Sequence, residues 1–439
     1  MLDSGEKVIE WIHSLLPFGI KPGLKRMEWM LERLEHPENQ STFIHIAGTN
    51  GKGSTVSYLR HVLNESGYSV GTFTSPYIER FEERISLNGQ PIPEYALVKI
   101  ANKIRPLVEE LAQTELGSPT EFEVITTIAF EYFAEVSNLD FVLLEVGLGG
   151  RWDSTNVITP IMSVITSIGH DHMHILGDTI EEITSEKAGI IKKNIPVVSG
   201  VLIAEAQQVL RNVARENNAA FYQLQEHFCY EKVKVNEEQQ IFHYKGLSER
   251  SEVTIRMKGE HQLQNVSVAI QVIELLVAQR LVQVDEHQLR SGLVQTSWVG
   301  RFEILSKEPL IVIDGAHNEE GLLALAETLN SQYPTRNYSF VISATKEKDM
   351  GVLLKPFEKM NSPFIFTEFE FFKAAKAEKL YQAAPVNVKR CQPNWHKAVL
   401  EALSQVKEND MIVITGSLYF ISEIRQAYYA GAWDSVISE

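Results

Sequence analysis

The chain has 439 residues, enough for two or three domains, and its 44% hydrophobic and 22% charged content is that of an ordinary globular protein. A formal charge of −16 argues against a general nucleic-acid binder, which would carry a basic stripe, but leaves anionic substrates open because lysines and metal ions reverse the sign locally. Only Cys229 and Cys391 are present, so no disulfide framework or structural zinc is expected, and no apolar run reaches the ~18 residues of a bilayer span.

The opening stretch MLDSGEKVIEWIHSLL is acidic and amphipathic, unlike a basic leader followed by an apolar core, and the chain reads as cytoplasmic. From about Thr42 to Gly200, apolar runs alternate with helical patterns: TFIHIAG, YSVGTFTS, DFVLLEVG, IMSVITSIG and IPVVSG. Between the first two, Val56, Leu59, Val62 and Leu63 form one helical face. Such alternation predicts parallel strands joined by crossover helices, and the nearly continuous apolar character of FVLLEV suits a strand covered on both faces. CYEKVKV, QQIFHYK and EVTIRMK then predict a small antiparallel appendage, followed by a helix over HQLQNVSVAIQVIELLVAQ. After WVGRFEIL a second alternating unit begins, with strands at PLIVID, YSFVISA, PFIFTEF and DMIVITG. Two α/β domains are expected, 1–297 and 298–439.

Four places on this map carry chemistry. The first, FIHIAGTNGKGS, departs from the common phosphate loop G-x-x-x-x-G-K-[ST]. Ile46 stands at the first glycine position and Gly53 follows Lys52. Its strand–glycine turn–helix context still suits a phosphate cradle, with backbone N–H groups near the anion and Lys52 as a point charge. The second is Glu145 in LLEVGLGGRWDSTN, a carboxylate inside an apolar strand that must be paired, protonated or metal-bound, with Asp153 beyond the glycine turn. Third come His170, His172 and His174 in SIGHDHMHILG. One of them beside Glu145 suits an oxygen-rich magnesium site better than zinc, with surface or capping histidines the plain alternative. Fourth is Ser75 in TSPYIERFEERI, which alone reads as a turn serine. All four lie at or just past the C-terminal ends of predicted parallel strands, where open α/β sheets bind ligands. A nucleotide–metal site is the favoured reading.

Taken together, AGTNGKGS, TSPYIERFEERI, LLEVGLGGRWDSTN, DHMHILGDTIEEITSEKAGIIK, GRFE and DGAHN resemble the folylpolyglutamate synthase/dihydrofolate synthase family of the Mur ligase superfamily, over nearly the whole chain. The resemblance implies an N-terminal P-loop-type, mostly parallel sheet with flanking helices, and a smaller C-terminal Rossmann-like α/β domain contributing to glutamate and nucleotide binding. It assigns ATP to Thr49, Asn50, Gly51, Lys52, Gly53, Ser54, Asn265, Arg301 and Asp314. Two magnesium ions are implied, with Ser75 and Glu145 on one and His172 on the other, and Lys187 carried as a carbamate. Read alone, Lys187 is a solvated helix lysine. His317 is implied for the incoming glutamate, and with Lys52 and Lys187 it makes the catalytic set. Thr120, Glu121, Phe122 and Glu123, with Trp152, Asp153 and Ser154, are implied to meet the pterin.

The implied activity is ATP-dependent ligation of L-glutamate to folate through an acyl phosphate; bifunctional and polyglutamate-only members share every motif quoted, so dihydropteroate as a further acceptor stays open. A monomer acting on small molecules, with no nucleic-acid or membrane partner, is expected. A Mur ligase for peptidoglycan would carry a separate N-terminal domain, for which the chain before Gly48 is too short. A nucleotide-binding protein without ligase chemistry is the alternative of a different class.

Overall fold

The computed structural model describes residues 1–15 and 21–433. Leu16, the last residue of the opening amphipathic stretch, lies outside them. Two compact units emerge: Met1–Glu231 with Phe242–Thr254 and Leu263–Thr296, and Lys232–Ile241 with Ile255–Gln262 and Ser297–Glu439.

The first unit is built on eight strands: β1 (Phe43–Ala47), β2 (Val70–Phe73), β3 (Ile85–Leu87), β4 (Gln90–Pro91), β5 (Phe141–Glu145), β6 (Met162–Ile165), β7 (Val197–Ser199) and β8 (Phe221–Gln223). Their order is β4-β3-β2-β5-β1-β6-β7-β8. From β2 to β8 every pairing is parallel, and β3 and β4 add an antiparallel edge. β1 and β5 are buried at every residue, His45 and Glu145 included, as befits nearly continuous apolar strands covered on both faces. Phe43, Phe73, Val142 and Leu144 share one core with Val124 and Ile128 of the helix Glu121–Glu135. Ala47, Ile165 and Val197 share another with Ile183, Ala206 and Leu210.

A separate three-stranded sheet of β9 (Cys229–Val235), β10 (Gln240–Lys245) and β11 (Glu249–Ile255) follows, in the order β11-β10-β9. The second unit holds β12 (Glu303–Lys307), β13 (Leu310–Asp314), β14 (Asn337–Ile342), β15 (Phe364–Glu368), β16 (Lys389–Asn394) and β17 (Asp410–Thr415), ordered β12-β13-β17-β14-β15-β16. All its pairings are parallel except β12 with β13.

The α/β class, the large parallel sheet and the second α/β unit are therefore as the sequence predicts. Not anticipated are the short strands β3, β4, β8, β12 and β16. The β3–β4 hairpin is turned by Asn88 and Gly89, both at positive φ (51° and 80°), a two-residue Asn-Gly turn that was legible. Among the described residues, no helix is long and apolar enough to cross a membrane.

Candidate active site

β1 runs straight into the glycine loop, and the loop is laced to the segment leaving β6. The Thr49 amide donates to Ser167 O (2.9 Å) and the Asn50 amide to Ser167 Oγ (2.9 Å). The Thr166 and Ser167 hydroxyls return the contact by donating to Asn50 O at 2.6 and 2.9 Å. Two glycines are required by space as well as by dihedral. A Cβ on Gly48 (φ +154°) would lie 1.9 Å from Thr166 Oγ1, and one on Gly51 (φ +86°) would lie 2.3 Å from Asn265 Oδ1. Asn265, far along the chain, is thereby placed against the loop.

Gly51 is the N-cap of the helix Lys52–Glu65 and offers it no side-chain cap. The helix start therefore presents amides and the positive end of its dipole toward the loop, the arrangement that receives phosphate. Lys52 curls back so that Nζ donates to Gly48 O (3.0 Å) and Thr49 O (3.2 Å), and it stands 3.9 Å from Glu145 Oε1. Gly53 and Ser54 continue the first turn.

Glu145 closes β5 and is buried, with Ile46 of β1 opposite it. Phe73 of β2 sits opposite Leu144, so Ser75, two residues past that strand, reaches the same edge. A hydroxyl and a buried carboxylate beside a phosphate loop form a sparse, oxygen-rich donor set. That suits magnesium, which retains waters and borrows phosphate oxygens, and not a caged transition metal. Among the described residues, no group of three or more His, Cys, Asp or Glu could hold a metal ion by itself. His172 is exposed, with φ 53°, and caps the short helix Met173–Leu176.

Lys187 corrects the bare helical reading. It lies near the end of the helix Ile180–Ala188 and is only 4% exposed, so it is not a solvated lysine. Burial, then the charge of Lys52, brings its amine down to about 7, with Asp171 and Asp153 pulling the other way. Hydrophobic period alone does not show this, because Lys52, Asp153 and Asp171, whose charges act on it, lie elsewhere in the chain.

Thr120 is the N-cap of Glu121–Glu135 and forms a capping box with Glu123. Glu123 is also bound by Arg26 at 2.9 Å, and Glu121 stands 3.4 Å from Arg84. Phe122 lies over Gly147, where a Cβ would meet its ring at 2.4 Å. Trp152 is exposed, while Asp153 and Ser154 are buried. Asp153 turns inward and accepts from the Leu148 amide (2.9 Å), the Thr155 amide (3.0 Å) and the Thr155 hydroxyl (2.5 Å). Burial raises its carboxyl above the usual range against these bonds. Behind it, fully buried His45 meets Thr155 Oγ1 at 2.8 Å.

In the second unit, Asp314 closes β13 and accepts from the Phe302 amide (2.7 Å) and the Ala316 amide (2.8 Å). Burial raises its carboxyl, opposed first by Arg301. Arg301 and Asp314 thus sit together. His317 is near by, its Nδ1 donating to Gly315 O at 2.8 Å, just before Asn318 caps the helix Glu319–Gln332. Residues that sequence reasoning missed are Thr166 and Ser167, which clamp the loop. Two hydroxyls directly after an apolar strand were the available clue.

Residues 46–273 match the Mur ligase middle domain and residues 299–427 the dihydrofolate synthetase C-terminal domain. Fold and site thus define the class: an ATP-dependent ligase of the Mur type. A dihydrofolate synthase/folylpolyglutamate synthase of Bacillus subtilis (strain 168) is 46% identical, over 95% of this chain and 97% of the relative. A solved Mycobacterium tuberculosis folylpolyglutamate synthase complexed with ADP has a TM-score of 0.89 at 30% identity, covering 97% of this chain and 99% of that one. Another structure, an FPGS–AMPPCP–folate complex, has a TM-score of 0.81 at 34% identity, with 97% and 99% covered. The chain belongs to the dihydrofolate synthase/folylpolyglutamate synthase family.

Proposed function

We propose that this protein joins L-glutamate to a carboxylate of a reduced folate at the expense of ATP, and that dihydropteroate is a second acceptor. The observation that carries the reading is the glycine loop Gly48–Lys52, with Lys52 3.9 Å from the strand-end Glu145. The loop amides and Lys52 receive the β- and γ-phosphates, with Thr49, Asn50, Gly51, Gly53, Ser54 and Asn265 around the nucleotide. Arg301 and Asp314 are assigned to the same nucleotide and His317 to the incoming glutamate, which gives 298–439 its role.

The folate carboxylate attacks the γ-phosphorus in line, ADP leaves, and the glutamate amine displaces phosphate from the acyl phosphate. Two anions meet in the first step, so the cationic Lys52 and the loop amides are placed where their repulsion is greatest. Magnesium, when bound, supplies further neutralisation of phosphate charge. Ser75 and Glu145 would hold one ion, His172 and carbamylated Lys187 a second. The burial of Lys187 supports the carbamate, because an amine with little hydration is available to carbon dioxide in its neutral form. Thr120–Glu123 and Trp152–Ser154 are assigned to the pterin side, and the protein is proposed to act as a cytoplasmic monomer.

The test is a substrate panel: ADP formation with ATP and glutamate, measured in parallel with dihydropteroate, with a reduced folate and with neither. ADP formation that requires both an acceptor and glutamate is expected. Equal hydrolysis in all three would replace the ligase with a nucleotide switch.

A further inference from the structure

The segment after Glu145 does more than turn the chain. It runs back along the helix that carries Lys187 and is stitched to it at several points. The Arg151 amide donates to Glu186 O (2.8 Å), and the Arg151 guanidinium reaches Ser185 O (3.2 Å) and Glu186 Oε1 (3.5 Å). The two backbones touch: a Cβ on Gly150 would lie 2.8 Å from Lys187 O, and one on Gly189 would lie 2.4 Å from Arg151 Cα. Asn156 ties the knot. Its side chain, only 6% exposed, donates from Nδ2 to Arg151 O (3.0 Å) and to Gly189 O (3.1 Å). Its own carbonyl receives Lys192 Nζ at 3.1 Å. One buried amide thus joins the strap that leaves Glu145 to the residue two places past Lys187.

We infer that Asn156 is a positioning residue: it sets the end of the helix Ile180–Ala188 against the segment leaving Glu145, and so fixes where the Lys187 amine stands. The inference rests on the catalytic use of Lys187 proposed above. An amide is needed because both partners are carbonyls, which only accept. Asn156→Asp keeps the shape and removes both donors, turning two attractions into repulsions. Asn156→Ser is the milder form, too short to span Arg151 O and Gly189 O.

The experiment has two readouts on the folded variants, each checked by thermal melting. In the first, lysines are acylated with an amine-reactive ester at pH 8 and quantified by peptide mass spectrometry, with exposed Lys193 as the internal standard. Labelling of Lys187 relative to Lys193 is expected to rise several-fold in both variants. In the second, kcat is expected to fall about 10- to 100-fold with KM for ATP unchanged, the loss typical of a displaced catalytic group. Lys187 labelling that matches wild type in a folded variant overturns the inference, whatever the activity. A wild type without acceptor- and glutamate-dependent ADP formation would instead overturn the functional reading and leave the labelling result standing.

Discussion

His45 sits in the middle of β1, fully buried, in a strand otherwise apolar. Burial, then the nearby charge of Lys192, holds its imidazole down to about 3. Thr155 Oγ1 donates to Asp153, so it accepts from His45 Nε2–H. The other ring nitrogen, Nδ1, is buried without a partner among the described residues, as a neutral ring allows and a cation would not tolerate. The unfolded chain takes up a proton near 6.5, whereas the native ring does so only near 3. The stability this group contributes is therefore fully present above 6.5, is lost steadily as pH falls, and levels off near 3. The slope is about 1.4 kcal/mol per pH unit, so wild type should lose on the order of 2–3 kcal/mol between pH 7 and 4.5 through His45 alone. His45→Gln keeps an amide donor within reach of Thr155 and cannot titrate. Urea unfolding of both proteins at pH 7, 6, 5 and 4.5 measures the difference. The stability gap between wild type and variant should narrow by that amount toward pH 4.5. Parallel curves would refute the claim that His45 is held neutral.

Lys52→Ala should abolish acceptor-dependent ADP formation while the protein stays folded, and normal turnover would remove the phosphate loop from the account. Lys187→Ala should be nearly inactive and partly restored by acetate, which returns a carboxylate to the emptied space. Full activity without acetate would end the carbamate role. Gly48→Ala, whose methyl would fall 1.9 Å from Thr166 Oγ1 on a left-handed backbone, should weaken nucleotide binding at least tenfold in a titration, the displaced loop costing more than about 1.4 kcal/mol. Affinity equal to wild type would show that the loop tolerates the shift.

Much of this architecture was readable from local pattern. β1, β5, β6 and β13 are almost wholly buried, and each announces itself as a nearly continuous apolar run. Because such strands are parallel, their C-terminal ends share an edge, and the sequence order of strands alone puts the Gly48 loop, Ser75 and Glu145 on it. The short edge strands β3, β4 and β12 were less legible, since few of their residues are buried on both faces and little pattern accumulates in them. The environment of Lys187 was not legible either. Its helix is short and capped in the usual way by Thr179 and Glu182, and the charges that act on its amine, Lys52, Asp171 and Asp153, come from other segments of the chain. Nor does the sequence show the three hydrogen bonds that Asp153 accepts from Leu148 and Thr155. Such partners are set by chain reversal through glycines, which sequence period does not report.

The central claim is that the folate carboxylate is activated by transfer of the γ-phosphoryl group. A reduced folate labelled with oxygen-18 in its terminal carboxylate, turned over with ATP and glutamate, tests it directly. One labelled oxygen should appear in each inorganic phosphate released, matched by a product one glutamate longer. Phosphate free of label beside the same product would contradict the acyl phosphate, and with it the role given to the Gly48–Lys52 loop.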